Sequence, residues 1–220
     1  MKSPRLLLTA ATVAVGLSST ACSNIEGRAN DRLFPTARVI FDLNEGGLAE
    51  PAEPGEKARR RFFHGFEFSG TGTQGSFRLD DNLGRADFQI VNGSALYRFG
   101  VQGRRGYFHG LVGVSLDNLS VDDNPTVDIS ESYFGPLIGF EGRVRLRDWL
   151  HPYMREQASF LEEGSFSNQW EIGMMFTPAP EFDLFAAYRR WDGYYGDAGP
   201  NGRDLDLEWR GVVLGMVLHL

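Results

Sequence analysis

From Phe62 to the end of the chain, apolar residues recur at every second position. That period gives an extended strand one apolar face and one polar face. The last ten residues show it most plainly. Val212, Leu214, Met216, Leu218 and Leu220 share one side, and Gly211, Val213, Gly215, Val217 and His219 share the other. Residues 182–191 send Leu184, Ala186 and Tyr188 one way and Asp183, Ala187 and Arg189 the other. Residues 169–177 divide Trp170, Ile172, Met174 and Phe176 from Gln169, Glu171 and Gly173. Residues 153–160 divide Met154, Ala158 and Phe160 from Arg155, Gln157 and Ser159. Residues 134–146 divide Ile138, Phe140, Val144 and Leu146 from Gly139, Glu141, Arg143 and Arg145. In residues 107–117, Phe108, Val112, Val114 and Leu116 oppose His109, Gly113, Ser115 and Asp117. In residues 62–69, Phe62, Phe66 and Phe68 oppose Gly65, Glu67 and Ser69. Residues 86–99 break the parity: Phe88 and Ile90 fall on one face, Ala95, Tyr97 and Phe99 on the other. A bulge near Asn92-Gly93 is the expected reconciliation.

This makes about eight strands of roughly ten residues, the length a tilted strand needs to cross a bilayer. The connections alternate between short (100–105, 147–151, 178–181) and long (71–85, 119–130, 192–204), with 161–167 between the two. Short turns on one side and long loops on the other mark outer-membrane barrels. The pattern therefore predicts an all-β fold over residues 59–220: an antiparallel up-and-down transmembrane β-barrel of about eight strands. The apolar face would meet lipid and both chain ends would be periplasmic. Aromatics near the strand ends suggest two interfacial girdles: Tyr97, Phe99, Tyr107 and Trp149 by the short turns; Phe166, Trp170, Trp191, Tyr194 and Tyr195 by the loops. A soluble barrel reads the same alternation inside out. Against that stand the charges on the polar face; for it stand Glu156 and His64, which fall on the apolar side.

The front of the chain differs. Lys2 and Arg5 precede the apolar stretch 6–17, and small residues lead to Cys22, the only cysteine. This has the form of a signal peptide over residues 1–21, too short for a spanning helix. Residues 22–58, with Pro, Glu and Gly concentrated at 46–56, read as a periplasmic tether. Residues 37–43 could form a further strand or a pad against the barrel.

Charge narrows the partners. The chain has 22 Lys+Arg and 29 Asp+Glu. Removing residues 1–21 takes away Lys2 and Arg5 and leaves 20 basic residues against 29 acidic, a net of −9. Nucleic acid is not an expected partner, because it calls for a basic footprint. The 27 glycines suit close backbone approach in strands, and the 17 phenylalanines suit a lipid-facing wall.

The span 62–220 resembles the superfamily of small eight-stranded outer-membrane barrels that includes the OmpA membrane domain, OmpX and OmpW. Its most specific part is the terminal strand 211–220, with Leu220 where phenylalanine or tryptophan is usual. The resemblance implies a bacterial outer-membrane location among lipids and lipopolysaccharide, and insertion machinery that recognises the C-terminal strand. The partner protein is left open. Ser19-Thr20-Ala21-Cys22 resembles a lipobox, with Ser19 where leucine is usual. That implies lipidation at Cys22; the alternative is an ordinary signal peptide cleaved after Ala21.

Candidate chemistry lies mainly in the lumen, where Glu67, Glu141, Arg143, Arg145, Arg155, Glu171 and Arg189 are expected as a salt-bridged plug. Buried arginines need carboxylates. The functional alternative is a narrow ion path, or a channel for small or apolar solutes. No cofactor is implied. Lipid-modifying catalysis is the least supported role. The histidines are His64, His109, His151 and His219, and His109 and Ser115 on one strand are six residues apart, about 20 Å at strand rise. Asp80-Asp81-Asn82 and Asp122-Asp123-Asn124 lack an EF-hand spacing, so no metal site is expected. Gly70-Thr71-Gly72 lacks the lysine and helix of a phosphate loop.

Overall fold

The computed structural model describes residues 25–43, 61–79, 84–103, 105–124, 127–199 and 203–220. Residues 1–21, Cys22 and Asp80–Asn82 therefore lie outside the described residues. Nine strands close into one barrel in chain order: β1 (Ile25–Asp42), β2 (Arg61–Leu79), β3 (Gly84–Gly103), β4 (Gly106–Asn124), β5 (Val127–Val144), β6 (Leu150–Phe160), β7 (Phe166–Ala179), β8 (Phe182–Gly199) and β9 (Arg203–His219).

The count corrects the expected eight. Every consecutive pair is antiparallel. An odd number of alternating strands leaves the first and last running the same way, and β1 pairs with β9 in parallel. The extra strand comes from the segment read as a tether. Residues 37–42 of the segment left unplaced by the sequence pattern form its last third. Its start shares a rim with the β2–β3, β4–β5, β6–β7 and β8–β9 connections; we call this the loop rim. Its end shares the turn rim with the close of β9. The two ends of the barrel thus lie at opposite rims, not on one side as expected.

Two other readings change. The stretches taken as long loops are largely strand: β2 and β3 stay paired out to Leu79 and Gly84, and β3 and β4 from Gly103 up to Asp87. The expected bulge at Asn92-Gly93 is absent, and β3 pairs without a register shift on both sides. Phe88 and Ile90 point into the barrel, while Tyr97 and Phe99 lie on the outer face. The environment changes along the strand; the register does not.

The outer wall carries an apolar band. It includes Leu33 and Phe41 on β1, Phe66 and Phe68 on β2, Val112 and Leu116 on β4, Ile138 on β5, Ile172 on β7, Leu184 on β8, and Val212 to Leu218 on β9. Toward the loop rim the outer face turns polar, with Gln89, Arg190, Asp192, Asp206, Glu208 and Arg210. The interior changes in the opposite sense. There Phe34, Phe88, Ile90, Leu119, Trp191, Tyr195, Leu207 and Trp209 are buried together. The indoles of Trp191 and Trp209 stack with centroids 4.7 Å apart, and Phe88 meets Trp209 edge-on at 5.4 Å. Trp191, Tyr195 and Tyr107 therefore line the interior and take no part in the expected girdles. Tyr97, Phe99, Trp149, Phe166 and Trp170 do face outward.

The seams beside β1 are less regular than the hairpins. Backbone pairing with β2 runs from Thr36 to Asp42, then lapses until Arg28. Pro35 has no N–H to offer there. Threonine hydroxyls reach across instead: Thr71 Oγ1 donates to the Pro35 carbonyl (3.2 Å) and Thr73 Oγ1 to that of Leu33 (3.4 Å). On the other side, a Cβ at Gly215 would clash with the Phe185 ring and the Thr36 carbonyl. Glycine at 215 lets β1, β9 and that ring pack together.

Candidate functional site: the charged lumen

Inward-facing positions at mid-height carry arginines and carboxylates on β1 to β3 and on β5 to β8. Glu141 is the hub. It accepts from Arg143 Nε (2.9 Å), Arg155 Nη1 (3.0 Å) and Arg38 Nη1 (3.3 Å). Arg38 also pairs with Glu171. Arg189 grips Glu171 through Nε (2.9 Å) and Nη2 (2.7 Å), and donates to Thr71 Oγ1 (3.0 Å). Both Arg189 donors converge on Glu171 Oε2, while Oε1 takes Arg38. Arg155 bridges on to Glu67 (2.7 Å), which Arg98 also approaches (3.3 Å). Arg143 reaches Asp183 (3.1 Å), which His219 also contacts (3.0 Å).

The result is one connected network of five arginines (38, 98, 143, 155, 189) and four carboxylates (67, 141, 171, 183), all nearly excluded from solvent. Aromatic rings cover it: the Arg38 guanidinium lies 4.5 Å from the Phe185 centroid and that of Arg143 lies 4.8 Å from Tyr107. Desolvated charge is costly unless paired this thoroughly, and removing one member of a buried pair costs about 3–5 kcal/mol.

Six of the seven residues expected in a lumen plug are in this network: Glu67, Glu141, Arg143, Arg155, Glu171 and Arg189. Arg145 is not. It shares their parity but sits at the turn rim, half-buried and without a carboxylate partner among the described residues. Sequence reasoning missed Arg38 and Arg98, and read Asp183 as inward without giving it a role. Arg38 lies on the unplaced strand, two residues from buried Ile40, and that spacing was its only signal.

His109 and Ser115 are both buried on β4, with no bond between them; His109 contacts Arg98 instead (2.7 Å). Among the described residues, no group of three His, Cys, Asp or Glu is placed to hold a metal ion. His64 and Glu156 do sit on the outer face: His64 bonds the Tyr97 hydroxyl (3.1 Å), and Glu156 lies between Phe140 and Trp170 on the neighbouring strands.

Above the network, Asp117 accepts from Asn92 and from the Tyr195 hydroxyl (3.3 Å). Beyond that lies the aromatic cluster of the loop rim. Among the described residues, the interior from mid-height toward that rim holds paired charge and then apolar side chains. No family model matches this chain, and neither a curated protein nor a solved structure matches it.

Proposed function

We propose that this chain is a plugged outer-membrane β-barrel of a bacterial envelope, with a structural or surface-contact role. The observation that carries the reading is the outward apolar band, which on β8 and β9 ends at a charged row. On β9 it extends from Val212 to Leu220, about 27 Å along an extended strand. A strand tilt of about 35–45° shortens that to roughly 20 Å of height, most of the roughly 25 Å lipid-facing band of such barrels. The odd strand number, closed by a parallel pair, departs from the even count of bacterial barrels and has its precedent in a mitochondrial one. In this reading the turn rim faces the periplasm and the loop rim faces out. Outer-membrane lipids surround the band, lipopolysaccharide flanks the loop rim, and the C-terminal strand is what insertion machinery engages. Cys22 is the proposed lipidation site, three residues ahead of β1.

A conducting role is the weaker alternative, because among the described residues Phe88, Trp191, Tyr195 and Trp209 are buried together inside the barrel above the ion pairs. A lipid-modifying role has no paired nucleophile and base among the described residues to support it. The test is twofold. Membrane fractions run on a detergent gel should show a faster band unboiled than boiled. The purified barrel in planar bilayers should give no discrete conductance steps. A soluble, heat-insensitive protein removes the membrane reading, and steady conductance removes the plugged one.

A further inference from the structure

Among the described residues, apolar side chains pack across the lumen on the loop-rim side, and the turn-rim side is hollow. A cavity of about 360 Å³ lies there, within the range of small-molecule sites, about 300–1,000 Å³. Phe63 and Tyr107 give it an aromatic wall, while its polar lining is dominated by donors.

Asp183 is the buried carboxylate in that lining, and it is already engaged by Arg143, His219 and Thr177. Asp42 stands exposed at the rim. Two donors are uncommitted. The Arg145 guanidinium lines the cavity without a partner among the described residues. His109 is the second. Its Nδ1 faces Arg98 Nη2 at 2.7 Å. Arginine has no acceptor, so Nδ1 accepts and the proton of the neutral ring sits on Nε2. That Nε2 is buried and unpartnered among the described residues. Ten buried side-chain polar atoms are without a hydrogen-bond partner among the described residues, and two of them, Arg98 Nε and His109 Nε2, belong to residues that line the cavity. The network beneath the cavity also has one arginine more than it has carboxylates.

We propose that this cavity binds a small organic oxyanion, a carboxylate or phosphate monoester carrying a flat apolar group, which enters from the turn rim. Arg145 and the His109 Nε2–H supply the contacts that the protein leaves open. The rings of Phe63 and Tyr107, which flank His109 at centroid distances of 4.5 and 4.4 Å, receive the apolar part. The proposal deepens the plugged-barrel reading and rests on it only for the blind end of the cavity.

The experiment is calorimetric titration of the full chain, folded in detergent micelles, with phenyl phosphate, benzoate and inorganic phosphate. Phenyl phosphate should bind saturably with a Kd at or below about 1 mM and tighter than inorganic phosphate. Arg145→Gln should weaken it about tenfold or more, the usual effect of losing a charge-assisted hydrogen bond, with the unfolding midpoint unchanged. His109→Phe should weaken it too, whereas Arg210→Gln, on the outer face near the opposite rim, should not. Absence of saturable binding by all three anions overturns the proposal, as does binding that Arg145→Gln leaves intact. A folded, non-conducting barrel that fails to bind sinks this site alone. A conducting barrel sinks the plugged reading whatever it binds.

Discussion

Trp209 and Leu214 are five residues apart on the same strand and are both strongly apolar. Trp209 is 2% exposed and points into the barrel; Leu214 is 50% exposed and points out. The same contrast separates Phe88 from Phe99 on β3. Toward the loop rim the wall is built like a soluble barrel, with aromatics inside and Arg190, Asp192, Glu208 and Arg210 outside. Toward the turn rim it is turned inside out, with ion pairs inside and aliphatics outside. One strand can obey both rules because its side chains alternate and only the surroundings of the two faces change. The comparison teaches that hydrophobic parity reports the environment at each height, and that the crossover marks where the outside medium changes.

The largest effect should come from the ionic half. Glu141→Ala leaves three guanidinium groups facing a vacancy and should cost about 4–5 kcal/mol in urea unfolding of the lipid-embedded barrel. An unchanged midpoint would mean that the network is solvated in life. The apolar half should follow. Trp209→Ala removes the ring that both Trp191 and Phe88 touch, and should cost about 3–4 kcal/mol in the same assay. A loss under 1 kcal/mol would mean that the upper core is loosely packed.

The outer wall offers the sharper contrast. Leu214→Lys should cost about 2–4 kcal/mol in liposomes, whereas Gln89→Lys, on the polar outer face toward the loop rim, should fall within about 0.5 kcal/mol of neutral. Equal effects would erase the boundary. The smallest effect should be a gain: Glu156→Leu removes the carboxylate between Phe140 and Trp170 and should stabilise the liposome-embedded barrel by about 1 kcal/mol. Destabilisation would show that Glu156 has a partner in the membrane.

The parts of β4 to β9 nearer the turn rim were legible in the sequence because each keeps one environment over that stretch. β1 was not, because it is apolar on both faces around Pro35. Leu33, Pro35 and Val39 face out while Phe34 and Ile40 face in, so no alternation stands out. On β3 the switch from Phe88 and Ile90 inside to Tyr97 and Phe99 outside mimics an inserted residue. Only the unbroken pairing with β2 and β4 separates a change of medium from a change of register. The plug residues were found by parity alone. Their partners were not, since a barrel brings β1 against β9 and Arg38 against Glu141 across more than a hundred residues, a closure that no local pattern encodes.

The most direct test of the inverted wall is a spin-label scan along the outer face of β9. With Cys22 replaced by serine, single cysteines at 206, 208, 210, 212, 214, 216 and 218 would carry nitroxides in the liposome-embedded protein. Collision with lipid-soluble oxygen and with an aqueous nickel chelate would then be compared at each site. The account predicts nickel access at 206–210, oxygen access at 212–218, and a step between Arg210 and Val212. Uniform nickel access along the strand would mean that the apolar band never meets lipid, and would contradict the account.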